Sequence, residues 1–112
     1  MKRCIAVAII WLAFSEASAG FLTYAQWEAL NPESRMLYIA GATDSIVNIS
    51  GPSGEMRVAK HIQSCLSSSR LTASQLAENI RILASARPEL QKGSVQLVLV
   101  QYLTQLCGPP PD

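Results

Sequence analysis

Residues 95–106 read VQLVLVQYLTQL, and this stretch decides between an all-α and a mixed fold. Its first six residues have the β-branched and apolar composition that is typical of a strand. The apolar positions nevertheless keep helical spacing for three turns, and no partner strand is evident in the chain. We therefore predict a final helix over about residues 91–106, with its apolar positions at Val95, Val98, Leu99, Tyr102, Leu103 and Leu106.

Four further helices are predicted before it, over about residues 24–30, 32–48, 55–65 and 72–86. The first and the fourth open on capping boxes, at residues 23–26 and 72–75, and Asn31-Pro32 opens the second. Loops are predicted at residues 50–54 and 67–69, and a single turn at 88–90. Apolar stripes run through the three middle helices at Leu37, Ala40, Gly41, Asp44 and Val47, at Val58, Ile62 and Cys65, and at Leu76, Ile80 and Leu83. The prediction is an all-α, single-domain bundle of about four to five helices.

The first nineteen residues have the layout of a secretory signal peptide. Lys2 and Arg3 precede an apolar run over residues 4–14, and Ala17-Ser18-Ala19 forms a small-residue cleavage site before Gly20. The run is too short for a permanent membrane span, although a buried N-terminal helix could also be apolar. We expect a signal peptide at 1–19, a helical domain at 20–107, a flexible tail at 108–112, and a periplasmic or secreted protein.

Export would leave two cysteines, Cys65 and Cys107, because Cys4 lies in the signal peptide. In an oxidising compartment the two most simply form one disulfide, and two independent buried thiols are the alternative. One histidine and two cysteines make no convincing metal site, and no cofactor fingerprint is present, so we expect no metal or cofactor.

The charges of the exported chain balance. Lys2, Arg3 and Glu16 are lost from nine basic and eight acidic residues, which leaves seven of each. No basic stripe remains to bind phosphates, so nucleic acid is not an expected partner. No other apolar segment approaches the length of a membrane span.

The chain lacks a recognisable catalytic set. His61, the only histidine, is expected at the surface or an edge, and Asp44 is expected as a partly buried structural acceptor. The serines have no nucleophile motif or nearby base. We therefore expect a binding protein rather than an enzyme.

The region from Asn48 to Arg57 is the candidate partner-binding loop, because its glycines and prolines would let it project. A plain inter-helix connection is the equal alternative. The candidate contact residues are Asn48, Ser50, Pro52, Ser53, Glu55 and Arg57.

The segment Tyr38-Ile39-Ala40-Gly41-Ala42-Thr43-Asp44 resembles the small periplasmic immunity proteins of the Tai/Rap type, which neutralise peptidoglycan amidase effectors of type VI secretion systems. The resemblance continues in chain order over Phe21-Leu22-Thr23, Cys65, Leu71-Thr72, Gln75-Leu76-Ala77, Pro88-Glu89 and Cys107. Related sequences often carry a second cysteine pair, which is absent here because Leu30 and Met36 or Leu37 stand in those regions.

The resemblance implies a domain, often dimeric in that family, that docks on a cell-wall amidase and blocks its catalytic cleft. Tyr38, Gly41 and Asp44 would form a structural motif, in which Gly41 allows close helix approach and Asp44 is a buried acceptor. A periplasmic stress chaperone, or a general protein-binding helical module, is the alternative function, and a weak hydrolase that uses Asp44 and His61 ranks third.

Overall fold

Five α-helices and one short 3₁₀ helix form the regular structure of residues 22–48 and 53–111, which are the residues that the computed structural model describes. No strand element occurs within these two ranges, so the predicted all-α fold is confirmed. The signal-peptide prediction for residues 1–19 lies outside them. The helices are α1 (Tyr24–Glu28), α2 (Pro32–Val47), α3 (Ser53–Ser69), α4 (Ala73–Ala86) and α5 (Val95–Cys107), with the 3₁₀ helix Pro88–Lys92 before α5.

Both predicted capping boxes are present. At the start of α4, the Thr72 hydroxyl accepts from the Gln75 N–H at 3.1 Å, and the Thr72 N–H donates to Gln75 Oε1 at 2.9 Å. Thr23 and Gln26 make the same pair of bonds before α1. These bonds satisfy backbone N–H groups that a helix start leaves free, so each helix begins where its threonine stands.

The α5 helix confirms the helical prediction for residues 95–106, but it begins at Val95 rather than near residue 91. Pro88 opens the separate 3₁₀ helix instead, and Gly93 is extended. Ser94 then caps α5 by accepting from the Leu97 N–H at 3.3 Å. At its other end, Gly108 has a φ of 67° and begins the segment that was predicted as a tail.

A backbone bridge joins the chain before α1 to the start of α5. The Tyr24 N–H donates to the Gly93 carbonyl, and the Val95 N–H donates to the Leu22 carbonyl, both at 3.0 Å. The two ends of the domain are therefore held together directly.

The hydrophobic core is built by α1, α2, α4 and α5. Trp27 is fully buried, and its indole Nε1 donates to the Arg35 carbonyl at 3.1 Å, so its one polar atom is satisfied. The buried residues of the core are Tyr24, Trp27, Ile39, Leu76, Ala77, Ile80, Ala84, Val95, Val98, Leu99 and Leu103.

The inward face of α2 differs from the stripe that its sequence suggested. Ile39 is fully buried, and Tyr38, Ala42 and Ile46 pack against the core. Leu37, Gly41 and Asp44 are exposed instead. Apolar residues occupy most sides of α2, so their spacing does not identify which side is buried. The packing of α4 and α5 against α2 determines that side.

The α3 helix is longer than predicted. It begins at Ser53, so Ser53 and Gly54 are helical rather than loop, and it continues through residues 67–69, which were predicted as a connector. Its C-terminal part is joined to the end of α5 by the predicted Cys65–Cys107 disulfide, with a Cα–Cα distance of 5.6 Å. None of the helices in the described ranges is both long and apolar enough to cross a membrane.

Candidate protein-binding face

Exposed apolar side chains occur on both α2 and α5, two helices that pack against each other. We define the α2–α5 face as Leu37, Gly41, Gln96, Leu97 and Val100. Leu37 is 59 % exposed, Leu97 61 % and Val100 44 %. Single exposed apolar residues are ordinary on a protein surface, whereas adjoining ones point to an interaction site.

A groove joins the two helices within this face. It encloses about 320 Å³ and is lined by Leu37, Tyr38, Gly41, Ala42, Ser45 and Gln96. A Cβ atom at Gly41 would meet no atom within 4 Å, so this glycine leaves the groove open. The expectation that Gly41 permits close helix approach was therefore wrong. On α5, Leu97 adjoins Gln96 and Val100 follows one turn later, which extends the apolar surface beyond the groove.

The face is almost free of charge. Val95–Cys107 contains no ionisable residue apart from Tyr102 and the disulfide cysteine, and α2 carries only Asp44 after Arg35. A partner could cover such a surface without removing water from charged side chains. This loss of hydration is the costly step when charged surfaces associate. One polar atom adds a possible anchor, because the Oε1 of Gln96 is buried and has no hydrogen-bond partner among the described residues.

The motif Tyr38, Gly41 and Asp44 does not form one structural unit. The Tyr38 hydroxyl accepts from the Leu22 N–H at 3.3 Å and so holds the chain before α1. Asp44 is exposed and accepts from the Asn48 amide at 2.9 Å. The expectation that Asp44 is a buried acceptor was wrong, because this side of α2 points away from the core.

The candidate loop at residues 48–57 is only partly a loop. Asn48 is exposed and closes α2, with its side-chain amide donating to the Asp44 carbonyl at 2.9 Å. Ser50 and Pro52 lie outside the described residues, while Ser53 and Glu55 belong to the first turn of α3 and Arg57 is exposed on that helix. The contact roles of these six residues stay predictions.

His61 is partly buried and has a structural contact. Its Nε2 lies 3.0 Å from the Cys107 carbonyl oxygen and 3.2 Å from that of Gly108. Since carbonyl oxygens only accept, Nε2 carries the proton and donates to the last carbonyls of α5. The imidazole thus supplies a bond that the end of a helix otherwise lacks.

A second cleft, which the sequence did not predict, lies beside α1. It encloses about 400 Å³ and is lined by Tyr24, Ala25, Glu28, Ala29 and Gln91. Burial, and after it the neighbouring Glu28 carboxylate, raise the pKa of Tyr24 to about 12. At neutral pH the phenol is therefore protonated and is not a nucleophile.

The sequence did not predict this face, because its residues lie on two helices that are far apart in the chain. Leu97 and Val100 fall outside the inward positions of α5, and the absence of charge along that helix was the available signal. The described residues contain no group of three histidine, cysteine or acidic side chains that could hold a metal ion. We compared the chain with protein-family models, curated proteins and solved structures, and none of the three comparisons gave a match.

Proposed function

We propose that this chain is an exported immunity-type protein that binds a peptidoglycan amidase and inhibits it by covering the active site. The observation that carries the proposal is the α2–α5 face, an uncharged apolar surface with an open groove. The sequence resemblance at residues 38–44 supplies the partner class. The inhibitor itself needs no catalytic residue, so the protein is not an enzyme in this proposal.

The proposed contact centres on Leu37 and Leu97. Complete burial of a leucine side chain contributes roughly 1.5–3 kcal/mol relative to exposure, and each of these side chains is already partly covered. Covering the exposed part of each would therefore add about 1–2 kcal/mol to binding. Protein interfaces commonly combine such an apolar centre with a polar rim.

A separate set of partner contacts is assigned to the candidate residues of the sequence prediction, Asn48, Ser50, Pro52, Ser53, Glu55 and Arg57. Asp44 and Asn48 continue the exposed side of α2 beyond Gly41, toward the segment that leads into α3.

The experiment begins with a pull-down from a periplasmic extract, followed by assays of the captured protein for amide hydrolysis in peptidoglycan. The proposal requires a captured amidase that regains activity after dissociation and loses it when purified protein is added back. Capture of misfolded client proteins alone would rule the proposal out.

A matched pair of variants tests the face. Leu97→Glu places a charge in its centre and should weaken amidase inhibition at least tenfold, because that charge must lose its water on binding. Ile82→Glu is the control, since Ile82 is 59 % exposed, like Leu97, but lies on α4, outside the α2–α5 face. It should inhibit like the wild-type protein. Equal inhibition by both variants would contradict the assignment. If the face also joins two copies, Leu97→Glu alone should convert the dimer to a monomer in sedimentation.

Export is tested separately by fractionating cells and determining the first residue of the periplasmic protein, which should be Gly20.

A stress chaperone is the second candidate, favoured by exposed apolar residues outside the face at Met56, Val58, Ile82 and Leu106. Client protection at low pH that vanishes at neutral pH would favour that function.

A further inference from the structure

The α3 helix is peripheral to the hydrophobic core. The connected core of buried residues draws on α1, α2, α4 and α5 and includes none of the side chains described for α3, those of residues 56–69. Ile62 and Leu66 pack against it while partly exposed, and Ala59 is the buried apolar residue among the side chains described for this helix. Met56 and Val58 remain exposed. Apolar burial therefore holds α3 more weakly than its neighbours.

Two adjacent links fasten α3 to the end of α5. Cys65 is bonded to Cys107, and His61, one turn earlier on α3, donates to the carbonyls of Cys107 and Gly108. Both links thus depend on the position of the last turn of α5. Both cysteines are only partly buried, so a thiol reagent has access to the bond.

An open cleft adjoins the C-terminal end of α3 at Leu66. The cleft encloses about 180 Å³ between α2, α3 and α4, and its lining includes Thr43, Val47, Leu66 and Leu76. The buried Thr43 hydroxyl finds no hydrogen-bond partner in the described part of the chain. Immediately after α3, Arg70 adopts a left-handed φ of 58°, which is unfavourable for a residue with a side chain beyond Cβ.

From these observations we propose that α3 is a redox-controlled strap. With the disulfide formed, α3 lies over α2 and α5. A dithiol reductant gives two electrons and two protons to the bond, which yields the thiols of Cys65 and Cys107 while the reductant becomes a disulfide. The hydrogen bonding of His61 and the partial apolar packing of Ala59, Ile62 and Leu66 then remain. These contacts do not hold α3, which detaches while the other four helices stay packed.

Detachment changes the surface of the molecule. It uncovers apolar groups of α2 and α4 that line the cleft, including Val47 and Leu76, and lets solvent reach the Thr43 hydroxyl. The closed form is then the stable form only in an oxidising compartment. This device is independent of the identity of any binding partner.

Hydrogen–deuterium exchange of the purified, disulfide-bonded protein tests the proposal, with and without dithiothreitol at neutral pH. Reduction should accelerate amide exchange at least tenfold in peptides of residues 57–69. In the reduced protein, amides of Ala73–Ala86 and Val95–Cys107 should remain protected and exchange at least tenfold more slowly than those of residues 57–69. Uniform acceleration would mean that the whole domain unfolds, and unchanged exchange in α3 would mean that packing alone holds it. Either result overturns the proposal.

Two variants separate the disulfide from other effects of the reductant. Cys65→Ser/Cys107→Ser should show fast exchange in α3 whether or not dithiothreitol is present. His61→Ala should retain slow exchange while oxidised, and after reduction its α3 should exchange faster than that of the reduced wild-type protein. Slow α3 exchange in the double-serine variant would overturn the proposal even if reduction of the wild-type protein gave the expected pattern.

Discussion

At Tyr24, a single phenol links burial to the pH dependence of stability. The side chain is 2 % exposed and packs beside Trp27, with a ring-centroid distance of 5.6 Å. Its pKa rises from 10.0 to about 12, first because burial disfavours the phenolate and then because the Glu28 carboxylate lies near it. The folded state consequently holds this proton at pH values where the unfolded state has lost it.

This difference predicts a loss of stability from Tyr24 between pH 10 and pH 12. Below pH 10 both states are protonated, so the group gives no pH dependence. Above it, the free energy of unfolding should fall by up to about 1.4 kcal/mol per pH unit. Urea denaturation of wild type and Tyr24→Phe at pH 9 and pH 11 measures the effect. The difference in stability between the two proteins should change over this interval, and a constant difference would contradict the prediction.

Single residues also show which roles a sequence can assign. His61 was expected at the surface or an edge. In the structure it is partly buried, and its Nε2 lies 3.0 Å from the Cys107 carbonyl oxygen at the end of α5. The sequence did not predict this contact, because only the fold brings the two residues together. Asp44 was expected inside and is exposed. Whether Asp44 is buried depends on which side of α2 packs against the core. The local sequence of α2 does not determine that side.

At the scale of the helices, the Thr72 cap of α4 allows a direct test of how much a capping residue stabilises the fold. Removal of the capping hydroxyl in Thr72→Ala leaves the Gln75 N–H without its acceptor, and should lower the free energy of unfolding by about 1 kcal/mol. Thr72→Ser retains a hydroxyl and should lose less than half of that. Chemical denaturation monitored by circular dichroism compares the variants, and equal stability of the two would show that the cap contributes nothing.

Helix starts were predictable where a cap or a proline marks them, as at Thr23, Asn31 and Thr72. The start of α5 was not, because Pro88 and Ser94 both offer helix-starting chemistry and the extended Gly93 separates them. The length of α3 was also missed, since serines at residues 67–69 resemble a connector but remain helical here. Local spacing was thus enough to predict which segments are helical. It was not enough to predict where each helix begins and ends, because neighbouring residues gave competing signals.

For the whole molecule, the disulfide closes a loop with a sequence separation of 42. In the chain-entropy model such a cross-link stabilises the folded state by about 4 kcal/mol. Release of α3 in the reduced native state would make the measured difference in unfolding free energy smaller than this. We predict that Cys65→Ser/Cys107→Ser loses about 2–4 kcal/mol of unfolding free energy, measured by chemical denaturation without reductant. Addition of reductant should bring the wild-type protein to the same value, and a loss below about 1 kcal/mol would contradict the entropic account.

The candidate face belongs to the assembled molecule, and for that reason the sequence did not reveal it. Leu37 and Gln96 are far apart in the chain and meet at one groove only when α2 packs beside α5. The cysteine pair, by contrast, was predictable, because with Cys4 assigned to the signal peptide only one pairing remained.

The backbone bridge between residues 22–24 and 93–95 sets an order of events during biosynthesis. The chain at the start of the first helix finds its hydrogen-bond partners in a segment synthesised about 70 residues later, so this contact cannot form until most of the chain has emerged. Until then the chain before α1 lacks the partner that fixes it in the fold. Such late closure would be compatible with the export proposed for this protein, because a chain must be unfolded while it passes through a translocation pore.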